Sequence, residues 1–111
     1  MAKPRLDKTK FLDRYRVGVV FLERYERRKA SGDVTIVLER AKGLHLEEMA
    51  QVEEAINAVR YEPYKNILYA RYVSLLDYYT IGKQVNQTPQ TVQRRIYRAL
   101  KYIEIPEGVQ V

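Results

Sequence analysis

The sequence predicts an all-α protein. Three observations carry this. Apolar residues recur at steps of three and four through most of the chain; the single β-branched run, Val34 to Arg40, has no second strand to pair with; and the punctuation between periodic segments is that of helix ends. At 111 residues the chain suits one domain-sized core and is too short for two full-sized ones.

The first helix is expected over residues 7–30, with Leu12, Tyr15, Val19 and Leu22 on one face, Phe11 and Tyr25 widening it, and Asp7 or Thr9 as its cap. Ser31, Gly32 and Asp33 should end it, because glycine adopts the left-handed conformation that closes helices. Residues 34–40 read equally as a loop or a short helix. A second helix follows from Leu46 to Tyr61, with a seam of Met49, Val52, Ile56 and Val59 that must be buried against the first helix or against a second copy of the chain.

Pro63 fits a helix start, and Ile67, Leu68, Tyr72 and Leu75 would line one face of the third helix. Asp77 is the expected N-cap of a short helix from Tyr78 to Val85, and Asn86 its left-handed stop. Thr88 and Pro89 restart the chain as cap and first helical residue, and the last helix should run to about Ile103. A single helix through residues 80–103 would hold Pro89 in its interior at a cost of about 3 kcal/mol. Two helices joined by Asn86, Gln87 and Thr88 remove that cost. They also give Gly82 a purpose, since helices crossing steeply need a position without a side chain at their contact.

The expected fold is therefore an N-terminal helical hairpin or arm followed by a C-terminal helix-turn-helix. By region this gives residues 1–61 as the helical arm, able to serve in dimerisation, 62–105 as the helix-turn-helix region, and 106–111 as a flexible tail after Pro106.

The net charge of +6 is unevenly spread. Residues 1–45 carry 12 basic and 6 acidic side chains, residues 44–62 carry 1 and 5, and residues 80–103 carry 5 and 0. Two basic regions around an acidic one suit a protein that binds a polyanion. In the last helix Val92, Ile96, Ala99, Leu100 and Ile103 share the apolar side, while Gln90, Arg94, Tyr97, Arg98 and Lys101 face the other way, with Thr91 and Arg95 on one flank and Gln93 on the other. Arginine bonds bidentately to guanine and glutamine to adenine in the major groove, and further cations hold phosphates. The expected partner is double-stranded DNA, with Thr88, Gln90, Thr91, Arg94, Arg95, Arg98 and Lys101 as the candidate contacts to its bases and backbone.

Enzymatic chemistry has little to stand on. The chain has no cysteine and one histidine, His45, and no phosphate loop or nucleophile motif. No cofactor or metal is expected. Glu47, Glu48, Glu53 and Glu54 read as a solvated helix face. The ten tyrosines mostly occupy helical patterns and read as packing, Tyr97 excepted because it lies on the outward side of the last helix. No apolar run approaches the roughly 20 residues of a membrane span, and the first ten residues lack the apolar stretch of a signal peptide, so a cytoplasmic location is expected.

The stretch IGKQVNQTPQTVQRRIYRALKYI resembles the helix-turn-helix of region 4 in housekeeping-type bacterial sigma factors, through Ile81, Gly82, Lys83, Gln84, Val85, Thr88, Val92, Ala99 and Leu100. The likeness covers about 23 residues and extends more weakly back through ILYARYVSLLDYY. With a basic N-terminal helix ahead of it, the layout is similar to small phage and prophage activators of the ArpU/RinA/LtrC kind. That resemblance implies activation of phage or prophage transcription through promoter DNA in a bacterial host; bacterial RNA polymerase and, through the residue 46–61 seam, a second copy of the chain are further candidate partners. It places base reading on Gln90 and Arg94, with Pro89 and Thr91 at neighbouring contact positions. Two residues depart from the family pattern: Pro89 stands where a DNA-contacting side chain is common, and Arg95 where an apolar residue is usual. A DNA-packaging component such as a small terminase subunit, or a module docking on RNA polymerase, are the alternative readings.

Overall fold

Helix ends in this chain are written in its capping residues. The computed structural model describes residues 4–111 and forms five helices with no strand among them: α1 (Pro4–Ala30), α2 (Ile36–Asn57), α3 (Glu62–Tyr72), α4 (Tyr78–Val85) and α5 (Pro89–Leu100).

α1 and α2 form an antiparallel hairpin. Gly32 turns the chain at φ +74°, and the Asp33 amide returns to the Arg28 carbonyl at 2.8 Å. The segment left open by the sequence, residues 34–40, becomes the start of α2: the Thr35 hydroxyl accepts the Leu38 N–H at 3.2 Å, which caps the helix one residue before Ile36. Its β-branched residues Ile36 and Val37 are three-quarters exposed, so their apolar character marks no buried strand. Gly43 lies inside α2 facing open space. The helix stops at Asn57, four residues before the expected Tyr61, although Val59 beyond it is buried.

The Met49, Val52, Ile56 and Val59 seam is taken up within the chain. Val52 and Ile56 join Phe11 and Leu12 in the core. Met49 fills the place a side chain on Gly18 would need, since a Cβ there would lie 2.4 Å from its sulfur. His45 stacks on Phe21 with centroids 4.4 Å apart, and Arg14 pairs with Glu48 at 3.5 Å. A dimer would have to use another face.

The core continues into the C-terminal helices, through Ile67 and Leu68 of α3, Ile81 of α4 and Val92, Ile96, Ala99 and Leu100 of α5, closed by Ile103. One apolar cluster thus joins the hairpin to the helices that follow it. Leu75 corrects the expected face of α3. It lies past the helix end at φ +58° and is 38% exposed, in a connection held by the Leu76 amide on the Ala70 carbonyl (3.0 Å) and by Arg71 on the Leu76 carbonyl (3.1 Å). α5 ends at Leu100, and a turn rather than a helix carries Ile103 into the core. In the last six residues Val109 packs against the core and Arg14 donates to the Gln110 carbonyl.

Candidate nucleic-acid interface

α4 and α5 are each set by a local device. The Asp77 carboxylate accepts the Thr80 N–H at 2.7 Å and starts α4; hydrogen bonds from the Thr80 amide and hydroxyl hold its pKa below the ordinary carboxylate range. Asn86 takes the left-handed conformation at φ 59° and stops α4. Thr88 accepts the Thr91 N–H at 3.2 Å, with the two hydroxyls 3.0 Å apart, and starts α5 with Pro89 in its first turn.

The turn between the helices is tight because Gly82 permits it. The Gly82 carbonyl accepts from both the Asn86 and the Gln87 amides, and a Cβ on Gly82 would meet the Gln87 carbonyl oxygen at 2.4 Å. The close approach is to the backbone of the turn that leads into α5, a more specific reason for glycine than a helix crossing alone.

α5 divides as the sequence predicts. Val92, Ile96, Ala99 and Leu100 are buried, and Gln90, Arg94 and Arg98 are exposed on the other side, with Lys101 exposed just past the helix end. Thr88 is exposed and Thr91 half-buried beside it, at a cleft also bordered by Tyr79 and Lys83. Arg95 is placed differently from its neighbours: it is half-buried on the flank and donates to the Gln87 side-chain carbonyl at 2.9 Å, so its guanidinium braces the turn. Among the described residues of α4, α5 and the turn between them, none is acidic.

Two cations that periodicity did not attach to this face stand at the end of α5. Lys8 donates to the Lys101 carbonyl at 3.1 Å, and the Arg5 guanidinium lies 4.8 Å from the centre of the Tyr97 ring. Pro4, a residue type suited to a first helical turn, was the available sign that α1 includes residue 5. Nothing local could have placed it against a helix some 90 residues away.

The exposed side of α5 is rich in hydrogen-bond donors. Planar and amide donors project from one helix face over a buried apolar base. No group of three or more metal-binding side chains occurs among the described residues, and no helix among them is long and apolar enough to cross a membrane. Comparisons with protein-family models, curated proteins and solved structures found no match to this chain.

Proposed function

We infer that this protein is a sequence-specific, double-stranded-DNA-binding regulator of transcription in which α4 and α5 act as a helix-turn-helix. The observation that carries the reading is the division of α5, whose buried apolar side leaves Gln90, Arg94, Arg98 and Lys101 together on an outward face free of carboxylates. Such a helix fits the major groove with its first turns on base edges and its later cations on phosphates. On this reading Arg94 and Gln90 read bases, and Thr88, Thr91, Arg98 and Lys101 hold the backbone. Arg95 keeps further N–H donors for a phosphate while its bond to Gln87 stiffens the turn.

The resemblance to sigma region 4 and to small phage activators directs the proposal to phage or prophage promoters, with bacterial RNA polymerase as the second partner and activation as the outcome. The test is selection of bound sequences from a random duplex pool at physiological salt, followed by titration of the winner against a scrambled duplex. An enriched motif bound on the order of 10³-fold tighter than the scramble is expected, its symmetry reporting the number of chains bound. Salt-sensitive binding with no enriched motif would remove the regulatory reading in favour of DNA packaging or polymerase docking.

A further inference from the structure

We propose that the first turns of α1 extend the DNA contact beyond α5, with Arg5 and Lys8 forming a second phosphodiester-binding surface together with Arg98 and Lys101. The proposal rests on the DNA-binding reading above and deepens it, adding residues from the opposite end of the chain to the same ligand.

A groove of about 1150 Å³ runs between the start of α1, α3 and the end of α5. It is lined by the four cations Arg5, Lys8, Arg98 and Lys101, and none of the described residues lining it is acidic. Four like charges around one groove raise its potential and attract an anion. Two of them, Arg98 and Lys101, belong to the outward side of α5 and its end, so the groove adjoins the face proposed to meet DNA.

The geometry of the other two is fixed. The Lys8 hydrogen bond to the Lys101 carbonyl ties α1 to the end of α5, where free carbonyls favour a cation. Arg5 is held over Tyr97 and lines the groove.

Tyrosine rings line one side of the same groove. Tyr64 and Tyr102 stack on each other with centroids 5.5 Å apart, Tyr61 meets Tyr64 edge-on at 4.8 Å, and Arg5 covers a face of Tyr97. Each of these contacts uses one face of a ring, and Tyr97 and Tyr102 remain about half exposed. The lining also includes Leu6 and the rings of Tyr64, Tyr97 and Tyr102; what selects a phosphate backbone is the four cations with no carboxylate among the described lining residues.

The experiment is the salt dependence of duplex binding by the full chain, on the selected duplex and its scramble, for wild type, Arg5→Gln, the Arg5→Gln/Lys8→Gln pair and the charge-conserving Arg5→Lys/Lys8→Arg pair. Each phosphate contact contributes about 0.9 to the slope of log K against log salt. Arg5→Gln is expected to lower the slope by about 1 and the glutamine pair by about 2, equally on both duplexes, while the charge-conserving pair keeps it. An unchanged slope in folded Arg5→Gln, an exposed position outside the core, overturns the proposal and leaves the reading of α5 standing. Wild type that binds neither duplex overturns both. A uniform drop that also appears in the charge-conserving pair assigns the two residues to folding and likewise overturns it.

Discussion

The backbone of Gln87 occupies the space that a side chain at Gly82 would need: a Cβ there would lie 2.4 Å from the Gln87 carbonyl oxygen. That contact sets how closely α4 can fold back on the entry to α5, because neither partner is a side chain able to rotate away. Gly82→Ala should therefore destabilise the fold by about 1 to 3 kcal/mol, the usual range for overpacking, despite the better helix propensity of alanine. Gly18 offers the internal comparison. Its missing Cβ is also closely approached, at 2.4 Å, but by the Met49 sulfur, which sits on a flexible stem. Urea midpoints should fall clearly for Gly82→Ala and much less for Gly18→Ala. Equal midpoints for the two variants would refute the backbone argument.

The outward face of α5 makes a prediction about kinds of loss rather than amounts. Arg94 is exposed opposite the buried Val92 and Ile96 side, in the second turn of α5. Its replacement by alanine should cost about 1 to 3 kcal/mol on the preferred duplex and little on a scramble. Arg98→Ala, one turn on, should weaken both duplexes alike and flatten the salt dependence by about one phosphate contact. Binding isotherms on the two duplexes at several salt concentrations separate these outcomes, and equal losses for Arg94→Ala on both would take it out of base reading.

What the sequence made legible follows from the range of each interaction. Asp77, Asn86 and Thr88 act within three or four residues of themselves, and each stands in the role its local pattern predicts. The α5 stripe was legible for the same reason, since helical period alone brings Val92, Ile96 and Leu100 together. Thr35 was hidden because Val34, Ile36 and Val37 look like a strand start, whereas Ile36 and Val37 are exposed and open α2 behind the Thr35 cap. Leu75 was misplaced because a left-handed leucine is unfavourable locally and is held by hydrogen bonds around it that no pattern announces. The meeting of Arg5 with Tyr97 and of Lys8 with Lys101 depends on how the hairpin packs against α5, and periodicity carries no information about that.

Thr88 joins stability to the candidate interface. Its hydroxyl accepts the Thr91 N–H and lies 3.0 Å from the Thr91 hydroxyl, so it fixes the first turn of α5. Thr88→Ala should cost about 1 kcal/mol of stability through the lost cap, and Thr88→Ser should cost much less because serine caps as well. If the first turn also carries Gln90 into a groove, the alanine variant should lose duplex affinity at temperatures where it is still fully folded. Thermal melts paired with titrations at 10 °C below the transition would show it, and full affinity in folded Thr88→Ala would confine the residue to capping.

Asp77 gives the fold a defined response to acid. The Thr80 amide and hydroxyl bond to its ionised form and hold its pKa below the usual value. The unfolded chain therefore takes up the proton more readily than the folded one, so the carboxylate stabilises the fold above the unfolded pKa of about 4. That contribution is lost as the pH falls from there through the lower folded value. Asp77→Asn isolates the charge, because asparagine caps a helix through its side-chain oxygen without titrating. The stability difference between wild type and Asp77→Asn should be flat from about pH 7 to pH 5 and should close on further acidification. Chemical denaturation across that range measures it, and a gap that widens as the pH falls would mean that the folded state holds the proton more tightly than the unfolded chain, the reverse of what the Thr80 hydrogen bonds require.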